Sequence, residues 1–454
     1  CLVGSEMCIR DSISVQANVS SSSSGKGLTL KSVGRITVST TGATGISPRR
    51  IETAGGPITF WTSESTGGVT FGNYTLLNTT QAGAPGADIT IGGGNASTVD
   101  NSRPGGAAGS TSDDGVSIGN IHATSLFVVR AGNGTFAMNA AYTGDSSGAF
   151  SGINIYCGYD ILAGKVYIEG QSKSTNHTTT HAGINSYSAQ TVKSFIQATS
   201  DGANTNTLEI LGSSGTTYGA LLGGAQTTTD YLVLKASGAN AGIKVTGLTS
   251  KADGYGLFVG ATTFETANGP TTLNSGDKEI ALGRTGRIFT YRPITGQPGG
   301  DVFIEAAGRD SLSSTVATSI TTAGKVSFTS TGVGYTEPLT FPASGSTTNV
   351  GALEVVVSSV QTLTVAANIT SSGDVTYRAG TFENSGSITS NNGNVLLQAD
   401  IMTLSTSVNI AAPNGTVTLA PQSNAKIIDL GTNVSTRLSL TDAELDRISA
   451  NTIR

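Results

Sequence analysis

Apolar and polar residues alternate along this chain in short bursts, separated by polar links rich in glycine. Near the C-terminus the bursts read GDVTYRA (Gly373 to Ala379), GNVLLQA (Gly393 to Ala399) and GTVTLAP (Gly415 to Pro421), and begin 20 and 22 residues apart. Earlier copies of the same Gly-x-apolar-x-apolar element start at Gly56, Gly68, Gly86, Gly164, Gly300 and Gly324. Alternation with period two marks each burst as a strand with one buried face. The pairs Ile58 and Phe60, Val166 and Ile168, Val302 and Ile304, and Val395 and Leu397 are the expected core. Leu208 with Ile210, Leu232 with Leu234 and Ile243 with Val245 fall between them as further inward pairs.

Strands of about five residues recurring every 20–24 residues leave no room for crossover helices. Links made of Gly, Asn, Ser and Thr suit tight turns. The pattern predicts an all-β fold, a right-handed parallel β-helix or β-solenoid of about 20–24 residues per turn. Roughly 18 to 22 turns would make a rod on the order of 90–100 Å long. Antiparallel sandwiches are the competing architecture, but they place strands every 8 to 12 residues with hairpin turns between them. The Asn-Gly pairs at Asn133, Asn268 and Asn414 do not consistently separate two strong strands. Segments 95–115 and 171–190 are low in apolar residues and are expected to bulge from the rod as loops.

Composition narrows the class. Charged residues make up 12% of the chain and glycine numbers 61, which fits neither a helical protein nor a highly charged disordered tail. A net charge of −5 with no basic stripe argues against nucleic-acid binding. No run reaches the roughly 18 apolar residues of a membrane helix. The first twelve residues, CLVGSEMCIRDS, resemble a translated sequencing adapter and contain Cys1, Met7 and Cys8. We set residues 1–12 apart as an adapter-derived artefact, assign 13–437 to the solenoid, and expect the natural N-terminus to lie upstream. Cys157 is then the one native cysteine, so the fold stands without an internal disulfide.

The degenerate Gly-x-Val-x-Leu-x-Ala strands, with their interval of about 20, resemble the filamentous-haemagglutinin-like exoproteins of bacteria. These are the large passengers of two-partner secretion and the autotransporter-type adhesins. LSLTDAELDRISANTIR (Leu438 to Arg454) is similar to a spacer that recurs between repeats in some of them. Segment 438–454 is therefore assigned as a spacer with one short helical turn, N-capped by Asp442 and carrying Leu445 and Ile448 on one face. In that family another strand would follow it, so the chain is expected to stop mid-protein. The resemblance implies an extracellular or cell-surface stalk acting in adhesion. It also implies partners among host or neighbouring-cell surface glycans or proteins, and an outer-membrane secretion partner.

Candidate chemistry is sparse. SDDGVSIGN (Ser112 to Asn120) offers Asp113 and Asp114 as paired carboxylates and resembles one segment of the polygalacturonases. That family's Asn-Thr-Asp, Gly-His-Gly and Arg-Ile-Lys elements are missing from this chain. His177 and His181, four apart in a Thr-rich stretch, and the isolated His122 read as loop histidines rather than metal ligands. Gly299-Gly300-Asp301 and Gly92-Gly93-Gly94-Asn95 lack the spacing of calcium-binding nonapeptides. Alternation sets Trp61 on the face opposite Ile58 and Phe60, toward solvent. The expectation is a structural, adhesive rod with no catalytic, cofactor or metal site, and not an enzyme. A β-helical polysaccharide-degrading enzyme and a trimeric phage or appendage fibre are the alternatives. Unpaired strand edges at the two ends of such a rod are expected to drive end-to-end association.

Overall fold

A computed structural model describes residues 6–9, 12–40, 47–62, 67–93, 108–110, 114–119, 125–144, 150–174, 182–186, 192–202, 206–223, 232–251, 254–260, 262–275, 279–282, 287–290, 301–305, 319–330, 338–342, 344–346, 348–432 and 434–454. The chain winds as a parallel β-helix with three faces. Where a coil is described in full, it lays one strand on each face in a fixed order. Ile13–Val15, Val19–Ser21 and Leu28–Ser32 form one coil, and Ile36–Val38, Arg49–Thr53 and Ile58–Thr62 form the next. Every strand of the second coil pairs in parallel with its counterpart in the first. The order persists near the C-terminus, where Val375–Asn384 bends through a corner and serves the third and first faces in turn.

On the third face the register is continuous. Leu28, Ile58, Ile89, Phe136, Val166, Leu208 and Ile243 stack one upon another. Thr271, Val302, Val326, Leu353, Val375, Val395 and Val417 continue the column. A second inward column two residues along runs from Leu30 through Phe60, Ile168, Ile210, Ile304 and Tyr377 to Leu419, and its members are buried. Each fully buried Val, Leu, Ile or Phe contributes about 1.5–3 kcal/mol, and a single coil cannot supply that burial without its neighbours. The three faces meet through aromatic contacts: Phe60 touches Phe71 edge-on at 5.1 Å, and Phe71 touches Phe127 at 5.2 Å.

The corners explain the Gly-Asx-Val signature. An Asp or Asn just before a strand accepts a hydrogen bond from the backbone N–H at the equivalent position one coil on. Asp88 receives Thr135 N at 2.7 Å, Asp301 receives Lys325 N at 2.8 Å, Asp374 receives Asn394 N at 2.8 Å, and Asn394 receives Thr416 N at 2.9 Å. The preceding glycine lets backbones meet along the axis. A Cβ on Gly393 would sit 2.3 Å from the Gly373 carbonyl carbon.

The same corner bonds measure the coil length. It is 20, 22 and 24 residues at Asp374, Asn394 and Asp301, matching the predicted interval, but 47 residues at Asp88. The longer intervals add residues without adding rungs to the third face. The rod therefore has about 15 levels and is about 70 Å long, shorter than its residue count suggested. The expected loops also contain strands. Ala108–Ser110 lies within 95–115, and Ala182–Asn185 lies within 171–190. The second escaped the apolar pattern because glycine backbone fills much of the interior there, leaving Ile184 as its one large core side chain. A Cβ on Gly170 would lie 2.2 Å from Gly183 O, one on Gly212 2.3 Å from Gly219 O, and one on Gly247 2.0 Å from Gly256 O.

Both ends also differ from expectation. The helical turn Asp442–Leu445 exists, but Thr441 is its N-cap. Thr441 is extended, and it forms a capping box with Glu444, which an Asp442 already inside the helix cannot do. Leu445 packs against the core from the turn, whereas Ile448, expected on the same helical face, lies beyond the turn and opens the strand Ile448–Ile453, from which it too packs against the core. The segment is not a spacer outside the coil, however. Leu438 and Leu440 are buried, and Ile448–Ile453 pairs with Ile410–Ala420. At the other end Glu6–Ile9, inside the adapter-like stretch, pairs with Leu28–Ser32. A parallel edge recruits through backbone groups and so accepts any strand-competent segment.

Candidate functional site

Asp114 lies at the corner entering Val116–Ile118, where the first face begins. It is buried, and its Oδ1 accepts from Ser151 N at 2.7 Å and Asn154 Nδ2 at 3.3 Å. Its Oδ2 accepts from the Tyr156 hydroxyl at 3.4 Å, and Asn154 Nδ2 also reaches that hydroxyl at 2.5 Å. Ser151, Asn154 and Tyr156 belong to the next coil, whose Ile153–Ile155 stacks on Val116–Ile118. These bonds make Asp114 a clip between coils, using the same chemistry as the Asp and Asn corners. Asp113, His122, His177 and His181 lie outside the described residues. Among the described residues no group of three or more His, Cys, Asp or Glu side chains comes together.

Cys157 follows this cluster and is buried. Burial pushes its thiol up to about 12, against weaker opposing hydrogen bonds from the Phe127 backbone and the Ser125 side chain. The thiol is therefore held protonated and unreactive. Trp61 does face away from Ile58 and Phe60. It is half-buried, with Lys31 Nζ from the coil below 4.8 Å from its ring centre. Ion pairs between coils decorate the outside, among them Lys235 with Glu265 at 3.1 Å and Arg130 with Asp160. Exposed pairs of this kind contribute about 0–1 kcal/mol each.

A feature that sequence reasoning missed lies on the outer side of the third face. A depression of about 50 Å³ is lined by Ala137, Asn139, Tyr167, Glu169, Glu209 and Leu211, with Met138 and Ile168 at its floor. Three coils contribute to it: Thr135–Tyr142, Lys165–Ser172 and Asn206–Ser214. Its signal is visible only once register is known, because the outward positions of separate coils must be read side by side. The arrangement combines an aromatic ring, an apolar strip and two carboxylates at one place. No family model, curated protein or solved structure matches the chain.

Proposed function

We propose that this chain is a structural and adhesive rod from a large exported bacterial protein of the filamentous-haemagglutinin-like kind, displayed at the cell surface or released. The observation that carries this reading is the pair of unbroken inward columns from Leu28 to Val417 and Leu30 to Leu419. Among the described residues the inward positions are mostly apolar and are spent on stacking coil upon coil, while the outward positions form a long, mixed surface in which polar side chains predominate. Such a surface acts by presentation: many weak contacts along a stiff rod sum to strong attachment. The clip role of Asp114 supports this reading over polysaccharide cleavage, since the one described aspartate of the expected pair is engaged in joining coils.

The test is adhesion of beads coated with the purified chain to cell surfaces, compared with the soluble chain. Beads should hold at least about a hundredfold more strongly than single chains. Equal binding by both forms, or release of reducing ends from polysaccharides by the chain, would overturn the proposal.

A further inference from the structure

On the outer side of the third face, three consecutive rows carry side chains with hydrogen-bonding capacity to spare. Register places Thr29 beside Lys31, Thr59 beside Trp61, and Thr90 beside Gly92, each row directly above the last. Thr29, Thr59 and Thr90 thus form one column, and Lys31, Trp61 and Gly92 the next. The five side chains are partly exposed. Among the described residues their one interaction is the approach of Lys31 Nζ to the Trp61 ring, 4.8 Å from its centre. Gly92 brings no side chain over the indole from the row above. Three hydroxyls and the N–H donors of one ammonium group are therefore left for a ligand, arranged around the single tryptophan of the chain.

The chemistry of these rows selects among ligands. Threonine hydroxyls recur about 4.8 Å apart along the axis, and the indole stands about 6.6 Å to the side. A pyranose ring matches such a cell, with hydroxyls at its rim and an apolar C–H face to lay against an aromatic plane. A wholly apolar ligand would meet one ring and strip water from the hydroxyls without replacing it. A peptide strand adds at the edge of a sheet rather than on a face, where the backbone groups it needs are already paired. Charge gives no preference: Glu6 stands in register one row below Thr29, so an acid and the base Lys31 occupy neighbouring positions.

We propose that these rows form a subsite for a neutral hexopyranose ring of a surface glycan whose chain runs along the rod axis. The proposal rests on the adhesive reading above and names the chemical class of one ligand. Trp61 stacks on the C–H face of the sugar. Lys31 steadies the indole and donates to sugar hydroxyls, and the threonine column meets the glycan once per row.

The experiment titrates the full chain with cellohexaose, mannohexaose and galactohexaose and follows the emission of Trp61, which no other tryptophan obscures. At least one of them should shift that emission with an apparent Kd of about 1 mM or below. Trp61→Ala, read by ligand-observed NMR, should weaken binding about tenfold or more, and Trp61→Phe should recover most of the loss. Thr59→Val, which suits a strand but lacks the hydroxyl, should weaken it about fivefold. Thr272→Val, farther along the same face, should change it less than about twofold. Salt at about 0.5 M should leave the affinity unchanged. No emission change with any of the three sugars would overturn the subsite. So would undiminished binding by Trp61→Ala, equal losses from the Thr59 and Thr272 variants, or binding abolished by salt. If no sugar binds while coated beads still adhere, the subsite falls and the adhesive role stands. Beads that fail to adhere while Trp61 still responds to sugar remove the adhesive role alone.

Discussion

Tyr377 is fully buried in the second inward column, against Phe382 at 5.4 Å, and its hydroxyl has no hydrogen-bond partner. Burial holds that phenol protonated well above its ordinary range. An unsatisfied buried hydroxyl costs stability that its phenylalanine counterpart does not. Tyr377→Phe is therefore expected to raise the unfolding free energy by about 1 kcal/mol, read from the urea midpoint at constant slope. Asp400 shows the opposite balance. Burial raises its pKa, but bonds from the Ser423 side chain and backbone, attraction to Lys426 and the Gln422 N–H outweigh that and leave it lowered. A carboxyl lowered on folding gives stability that is present above its unfolded pKa of about 3.9 and is lost as pH falls through the folded value. The stability gap between wild type and Asp400→Asn should be open at neutral pH and narrow as pH falls below the unfolded pKa and through the lowered folded one. A gap unchanged by acid would remove the carboxylate from the corner's stability.

The elements are strands joined by corners, and the corners carry as much information as the strands. Gly393 lies where axial backbones touch, so Gly393→Ala forces a methyl group against the Gly373 carbonyl carbon. A loss of about 1–3 kcal/mol in chemical denaturation is expected; a neutral effect would show that the corner can open. The strands with strong alternation, such as Ile58 to Phe60 and Val395 to Leu397, were legible in the sequence because one buried face imposes period two. Ala182–Asn185 was not, because Gly183 packs as bare backbone and leaves Ile184 as its one large core side chain, too little to show alternation. Thr271 was hidden for a related reason, standing as a polar residue between Ile243 and Val302 in an otherwise apolar column. Asp114 was visible as a polar cluster, yet its clip role needed the identity of the coil above. The depression on the third face could not be read at all, since Tyr167 and Glu209 become neighbours only through the ladder.

At the scale of the molecule the rod behaves as a stack in which each coil contacts the coils on either side. Stability should then be close to a sum over coils and their interfaces. Excising residues 375–394 removes one strand from each face and leaves Asp374 followed by Val395, which preserves the columns. That variant should unfold cooperatively with its β circular dichroism intact, whereas excising ten residues from the same stretch should not. The central claim, a rod in which height depends on coil number rather than residue number, is tested most directly by electron-spin distances. Labels are placed on outward positions of the third face, with Cys1, Cys8 and Cys157 replaced by alanine. Thr272 and Thr376 are four rungs apart and should lie about 19 Å from each other, while Thr59 and Thr376 are ten rungs apart and should lie about 48 Å from each other. Distances rising in that proportion are the expected result; a second distance no more than about one and a half times the first would contradict the stacked coil.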